Sequence, residues 1–293
     1  MADDSDIVEE VFETVANCAP EIRAALPGRR TETAGQNPSG ELRLAADDYA
    51  DDLLEERLGG IEGVSQYASE ETEESVDVAD GASGDVTDGL AVAVDPLDGS
   101  SNLKPNNTMG TIVGIYDAPL PAAGRDLVGA AYVLYGPITT MAAAADGEVT
   151  EYVVTDGERE AVRETLQLPT DPAVYGFGGR VPDWTEEFSN FVEEIESDES
   201  LRLRYGGSMI GDVNQVFTYG GIFAYPALRS APNGKLRLQF EGNPVGYIVE
   251  AAGGRSSDGE RSLLEVEPDG LHQRVPVHVG NEALIDRLEG ALN

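Results

Sequence analysis

A layered α/β sandwich, built from two segments of one 293-residue chain, is the fold class the sequence predicts. Three observations carry that reading. Apolar stripes at helical spacing alternate with short apolar strands, and strand-like segments joined by turns fill residues 111–155. Near Leu168–Asp171 the helix and strand alternation then starts afresh. The length suits one large or two medium domains with a sizeable core, here divided as 1–167 and 168–293.

The elements follow in order. Ile7, Val8, Val11, Phe12 and Val15 form a helical stripe, with Ser5 as its expected cap. Asp47–Leu58 reads as a second helix, with Tyr49, Leu53, Leu54 and Leu58 inward. Leu90–Val94 is a short apolar strand expected to stop at Asp95. Thr111–Tyr116, Leu127–Tyr135, Thr139–Ala145 and Val149–Thr155 read as successive strands of a largely antiparallel sheet. The uncharged stretch Leu127–Ala145 is long enough to consider as a membrane span, yet Gly136–Pro137 divides it into two buried strands. In the second segment, Trp184, Phe188, Phe191, Val192 and Ile195 mark a helix and Leu201–Tyr205 a strand. Met209, Val213, Val216 and Phe217 mark another helix, stopped by Gly220-Gly221 before the strand Ile222–Tyr225. Pro244 near the start and Gly253-Gly254 at the end frame one more helix. Lys235–Phe240 fits a strand or a helix, and in either case Arg237 and Glu241 share a face.

Charge narrows the class of partners. The chain carries 55 acids against 19 bases, a formal net charge of −36, and its only lysines are Lys104 and Lys235. Non-specific binding to nucleic acid or an anionic membrane is excluded by repulsion over the whole surface. Residues 1–100 hold 26 acids and 5 bases and residues 101–200 hold 18 and 5, so the excess is a spread coat and not a tail. It resembles the acid-rich, lysine-poor bias of salt-accumulating halophilic archaea. Between Leu201 and Phe240, Asp212 is the only acid, against Arg202, Arg204, Arg229, Lys235 and Arg237. A basic stretch in so acidic a chain suggests an anionic ligand. A single cysteine, Cys18, forms no internal disulfide, and Met1–Glu10 is acidic where a targeting segment would be basic, so the expected setting is a soluble, cytoplasmic one.

The chemistry concentrates in Asp95-Pro96-Leu97-Asp98-Gly99-Ser100-Ser101-Asn102. A buried strand delivers Asp95, and Pro96 stiffens a turn that returns Asp98 towards it. Two carboxylates and the Leu97 carbonyl are hard oxygen donors suited to Mg²⁺ or Mn²⁺. Gly99, Ser100 and Ser101 read as a helix N-terminus whose free N–H groups cradle a phosphate beside the metal.

This octapeptide resembles the signature of the lithium-sensitive, metal-dependent phosphatases, and its Ser-Ser-Asn ending resembles class I fructose-1,6-bisphosphatase. Ser69-Glu70-Glu71 matches the family's upstream acidic pair. A longer match runs through Arg204-Tyr205-Gly206-Gly207-Ser208-Met209, Tyr219–Pro226 and Pro232–Leu238 to Glu241, Asn243-Pro244 and Gly253-Gly254. Together these cover most of residues 39–255. The resemblance implies the αβαβα sandwich of the sugar phosphatases, with both segments sharing one active-site cleft. It implies two or three Mg²⁺ held by Glu70, Glu71, Asp95, the Leu97 carbonyl, Asp98 and Glu241. The 1-phosphate would sit on Gly99, Ser100 and Ser101, reached by Arg237. A water deprotonated with help from Glu70 and Asp47 would attack phosphorus in line, with Asp98 assisting the departing sugar oxygen. The 6-phosphate would meet Tyr205, Tyr225 and Lys235, with Arg204 contributed by a neighbouring subunit, and Met209 would line the sugar. A homo-oligomer, dimer or tetramer, follows from that shared arginine.

Several readings stay open or plain. Tyr205 and Tyr225 read equally well as core aromatics, and Arg180 is undecided. Lys104 reads as an ordinary surface lysine, and His272 and His278 as structural. Gly178 and Val181 stand where the family offers Asn and Tyr to the 6-phosphate, which leaves sedoheptulose 1,7-bisphosphate, or a sugar or inositol monophosphate, as alternative substrates. A non-catalytic cation-binding protein is the remote alternative. The family's threonine-glycine-glutamate nucleotide turn is missing, Asp117 replaces a basic residue, and Gly89-Leu90 stands where Lys-Tyr is usual. No AMP inhibition is therefore expected.

Overall fold

The computed structural model describes residues 3–38, 42–78 and 89–293, so residues 39–41, where the family resemblance begins, lie outside it. Its layers are built from amphipathic pieces that cannot bury their apolar faces alone. Helices α1 (Asp4–Ala25) and α2 (Ala45–Leu58) cover one face of a large sheet. In spatial order that sheet comprises Glu158–Arg163, Glu148–Thr155, Thr139–Ala145, Leu127–Tyr135, Met109–Tyr116, Leu90–Asp98, Val64–Ser69 and Val76–Asp77. All pairings are antiparallel except that of Val64–Ser69 with Leu90–Asp98. The other helices are α3 (Glu186–Glu196), α4 (Met209–Tyr219), α5 (Asn243–Ala251) and α6 (Glu282–Leu292). A second, mixed sheet runs Arg202–Leu203, Val174–Phe177, Gly221–Tyr225, Val277–Gly280, Arg255–Ser257. Helices α4 and α5 fill the space between the sheets, and α3 with α6 closes the far side. The result is αβαβα. Among the described residues no helix is long and apolar enough to cross a membrane.

Local chemistry accounts for most of the boundaries. Helix α3 buries Phe188, Phe191, Val192 and Ile195 at the i, i+3, i+4, i+7 spacing of one face, each burial contributing about 1.5–3 kcal/mol. Its N-terminus is capped by the Thr185 hydroxyl, which accepts from the Phe188 amide at 3.2 Å. Ser208 caps α4 in the same way, accepting from Gly211 at 3.2 Å, and Gly220 ends the helix at φ 66°. Hairpins turn at Asp146-Gly147 and Asp156-Gly157, all four residues having positive φ, as type I′ turns require.

Several expected boundaries need correction. Helix α1 starts at Asp4 with Asp3 before it, so Ser5 lies inside the helix and is not its cap. Helix α2 begins at Ala45, two residues ahead of Asp47. The strand entering the octapeptide does not stop at Asp95. It continues to Asp98, paired with Met109–Tyr116 across a bulge between Asp95 and Asp98. The extra residues of a bulge bend and twist the strand, which turns both aspartates towards one region. Gly99 to Ser101 do not open a long helix either: Ser100–Leu103 is a single 3₁₀ turn, and Gly99 reaches it at φ 72°. Lys235–Phe240 resolves into both alternatives, a two-residue strand Leu236–Arg237 followed by a π-helical turn Leu238–Gly242.

Candidate active site

The C-terminal end of the Leu90–Asp98 strand, the start of α4 and the Leu236–Gly242 segment converge on one cleft of about 520 Å³. Three of its carboxylates form the centre. The side-chain oxygens of Glu70, Asp95 and Glu241 lie within 4.8 Å of one another, and all three residues are at least 93% buried. Glu70 is brought there by its amide, which donates to the Val94 carbonyl at 3.0 Å alongside the strand carrying Asp95. Glu241 comes from the π-helical turn, where its Oε2 accepts the Arg237 amide at 2.6 Å. Arg237 is buried too, and its guanidinium lies 2.8 Å from Glu70 Oε1.

Burial, followed by the mutual repulsion of these groups, pushes Asp95 and Glu241 well above the usual carboxylate range, and Arg237 only partly offsets it. One guanidinium among three buried carboxylates leaves a deficit of positive charge that a divalent cation would supply. The donors are hard oxygens, so the set fits Mg²⁺ or Mn²⁺ and argues against a soft-ligand metal.

Around this centre, each carboxylate has a distinct neighbourhood. Asp98 Oδ2 accepts from the Ser208 hydroxyl at 2.8 Å and the Ile210 amide at 3.0 Å, and Oδ1 from the Met209 amide at 3.3 Å. It therefore sits at the positive end of α4, across the cleft from its own strand. Burial raises its pKa, against those three hydrogen bonds to the charged form. Asp47 reaches back to the Leu44 amide at 2.6 Å, and burial pushes it up to about 6. Glu71 is raised to about 8, first by burial and then by Asp47 and Glu70. Its Oε2 lies 2.8 Å from Arg43 Nε.

The far side of the cleft carries Tyr205, Met209, Tyr225 and Lys235. Tyr225 packs on Gly178, where a Cβ would come within 2.3 Å of the ring. Gly178 therefore supports the tyrosine by offering no side chain, which explains why nothing larger stands there. Tyr205 is carried on a loop fastened at three points. Asp212 accepts from the Gly206 amide at 2.6 Å and the Gly207 amide at 3.3 Å, and the Asn102 and Asn107 side chains donate to the Gly206 carbonyl at 2.9 and 2.8 Å. Burial raises Asp212 to about 7.

Of the residues expected from the sequence, Asp47, Glu70, Glu71, Asp95, Leu97, Asp98, Gly99, Ser100, Ser101, Tyr205, Met209, Tyr225, Lys235, Arg237 and Glu241 all line this cleft. Arg204 does not: it is exposed, and its guanidinium donates to the Leu203 carbonyl at 3.1 Å. Arg180 and Val181 are exposed away from the cleft lining. His272 lies 2.7 Å from the Thr72 carbonyl, and His278 stacks on Phe188. Lys104, read as an ordinary surface lysine, is exposed, and it is also among the residues that line the cleft. Sequence reasoning also missed Ser208 and Asp212 as site residues. Asp212 had a signal, as the only acid in the basic stretch; Lys104 had one in its rarity; Ser208 had only its helix-capping position.

The comparisons with known proteins agree over nearly the whole chain. The family description "Fructose-1-6-bisphosphatase, N-terminal domain" matches residues 19–161, and "Fructose-1-6-bisphosphatase, C-terminal domain" matches residues 168–293. A protein of Natronomonas pharaonis named fructose-1,6-bisphosphatase class 1 is 57% identical over 289 residues, 98% of this chain and 99% of its own. One of Halobacterium salinarum with that name is 55% identical, covering 98% of each chain. Among solved structures, Leishmania major fructose-1,6-bisphosphatase in holo form superposes with a TM-score of 0.89 at 27% identity, covering 98% of this chain and 94% of the other.

Proposed function

Because the chain belongs to the class 1 fructose-1,6-bisphosphatase family, we propose that its cleft hydrolyses the 1-phosphate of fructose 1,6-bisphosphate through the residues assembled there. The observation that carries this reading is the convergence of Glu70, Asp95 and Glu241 on one point, next to the Gly99–Ser101 backbone. Those three carboxylates, joined by Asp98, Glu71 and the Leu97 carbonyl, would hold two or three Mg²⁺, with Mn²⁺ as the alternative ion, and cations bound there would supply Lewis acidity and screen the charge of the incoming phosphate.

The chain's own residues do the rest. Ser100, Ser101 and the Gly99 amide orient the 1-phosphate, and Arg237 adds a cation on its side of the cleft. Glu70 and Asp47 take the proton of the attacking water, whose oxygen forms the new bond to phosphorus as the bond to the sugar oxygen breaks. Asp47 suits proton transfer because burial holds it near neutrality, at about 6. Asp98, fixed by Ser208 and the first amides of α4, faces the departing sugar oxygen. Tyr205, Tyr225 and Lys235 bind the 6-phosphate with Arg204 of a second copy, and Met209 lines the sugar. In this reading residues 1–167 bind metal and the 1-phosphate, and residues 168–293 bind the sugar and 6-phosphate, although Arg237 and Glu241 reach across. The protein works as a homo-oligomer in a salt-rich cytoplasm.

The test is phosphate release from fructose 1,6-bisphosphate in molar KCl with Mg²⁺, beside sedoheptulose 1,7-bisphosphate and inositol monophosphate. Turnover of the first, lost on adding EDTA and restored by Mg²⁺, is the expected outcome. A chain that releases phosphate from the other two and not from the first does not have the proposed substrate.

A further inference from the structure

The Gly206 amide, the Gly206 carbonyl and the Gly207 amide, next to Tyr205, all end on side chains. We infer that Asp212 is a positioning residue: with Asn102 and Asn107 it sets how far Tyr205 stands from the Gly99–Ser101 turn, and so fits the cleft to a sugar carrying two phosphates. The inference rests on the function proposed above and gives a role there to side chains that do not touch the reacting atoms.

Two segments, 98–102 and 206–212, are tied together at both ends. At one end Asp98 accepts from the Ser208 hydroxyl and from the Met209 and Ile210 amides. At the other, Asn102 lies in the 3₁₀ turn that carries Ser100 and Ser101. Its Nδ2 donates to the Gly206 carbonyl at 2.9 Å and to the Thr108 carbonyl at 2.8 Å, and Asn107 adds a second donor to Gly206 at 2.8 Å. Asp212, in the first turn of α4, completes the grip by accepting the Gly206 and Gly207 amides at 2.6 and 3.3 Å. On the other side of Tyr205, the Arg204 amide donates to the Tyr175 carbonyl at 2.8 Å. Tyr205 is therefore held through its backbone from both sides. The path requires glycine at Gly207, whose φ is 81°.

A carboxylate is the side chain this place calls for. It presents two acceptor oxygens to two converging amides and no donor to repel them. An asparagine would offer one oxygen and turn its NH₂ group towards the second N–H. Asp212 is buried, and it is the only acid between Leu201 and Phe240. The two amides offset its charge, which explains how an acid stands in a stretch that otherwise carries cations. A sugar with one phosphate engages only the metal end of the cleft. Loosening the Tyr205 loop therefore bears mainly on a substrate with two, because only that substrate depends on the spacing.

The experiment compares wild type, Asp212→Asn, Tyr205→Phe and the double variant in molar KCl with saturating Mg²⁺. It measures kcat and KM for fructose 1,6-bisphosphate and for fructose 1-phosphate, beside the thermal midpoint. Asp212→Asn is expected to raise KM for the bisphosphate about tenfold, the loss of one hydrogen bond to a charged group, with a much smaller change in kcat. The preference for the bisphosphate over fructose 1-phosphate, read as the ratio of kcat/KM, should shrink about tenfold. In the double variant Tyr205→Phe should add little to Asp212→Asn, because both act on one contact. Unchanged KM, equal losses on the two substrates or additive effects in the double variant overturn the inference. If Asp212→Asn does not fold, Asn107→Ala removes the exposed donor to the Gly206 carbonyl instead. It should raise KM for the bisphosphate about threefold, and no rise overturns the inference. A wild type that hydrolyses the bisphosphate no better than fructose 1-phosphate refutes the proposed function and the inference with it. A preference that Asp212→Asn leaves intact overturns the inference alone.

Discussion

Asp98 meets two demands with one carboxylate. Its oxygens accept the Ser208 hydroxyl and two amides at the start of α4, and in the proposed mechanism the same group serves the leaving oxygen. Asp98→Asn separates the two roles. The amide oxygen keeps an acceptor for α4, so the thermal midpoint should fall only by the equivalent of about 1 kcal/mol. Phosphate release should drop by about three orders of magnitude, because the removed charge is one that transition-state stabilisation requires. A steady-state assay beside a thermal melt checks both; near-normal turnover would refute the catalytic role.

Protons and metal ions both offset the negative charge of the acids that line the cleft. Burial raises Asp47 to about 6 and Asp212 to about 7, and it raises Glu71 to about 8 with help from its acidic neighbours. In the unfolded chain such groups titrate near about 4. Their folded values are the higher ones, so the fold binds protons more tightly, and the metal-free protein loses stability as pH rises from about 4 to about 8. Cations held in the cleft favour the ionised forms of these carboxylates and should reverse the trend. The gain in thermal midpoint on exchanging EDTA for Mg²⁺ is expected to be larger at about pH 8 than at about pH 5, as scanning calorimetry would show. A gain that shrinks with pH contradicts the sign.

At the scale of elements, the turn after Asp98 depends on one glycine. Gly99 adopts φ 72°, and a Cβ there would come within 2.4 Å of the Ser208 Cβ. Gly99→Ala is expected to cost about 1 kcal/mol from the backbone alone and to push the turn away from α4. That displacement should lower kcat/KM for the bisphosphate by at least about tenfold, a kinetic measurement that a tolerant turn would leave unchanged. The strands that sequence reading missed were missed for physical reasons. Val64–Ser69 is buried along its length, yet Ser65, Gln66 and Ser69 interrupt its apolar pattern. Their polar atoms are satisfied inside, Gln66 by the Leu120 amide at 2.7 Å and Ser65 by the Leu90 carbonyl at 3.3 Å. Glu158–Arg163 ends the sheet as an exposed, charged edge strand, the composition that keeps edges from pairing with other chains.

For the whole molecule, the net charge of −36 sets the solvent requirement. Described ion pairs such as Arg159 with Glu9, at 2.5 Å, use few of the surplus carboxylates, and the remainder repel one another. Screening shortens the reach of that repulsion to roughly 3 Å in molar salt. The thermal midpoint is therefore expected to rise as KCl is increased from millimolar to molar, and a protein stabilised mainly by its surface pairs would show the opposite trend. Thermal melts across a KCl series decide between the two.

The sequence by itself determined the alternation of helices and strands, the octapeptide from Asp95 to Asn102, and the basic stretch opposite it. These are local patterns, and periodicity and turn chemistry act within a few residues of the chain. The tertiary structure alone decided which carboxylates meet. Glu70, Asp95 and Glu241 are far apart in the chain, and only the parallel pairing of two strands and the π-helical turn bring their oxygens within 4.8 Å. It also decided that Asp98 lies at the head of α4 and that Lys104 is among the residues lining the cleft. No local signal encodes such meetings, because the packing of the layers and the burial that comes with it set both the distances and the charge states.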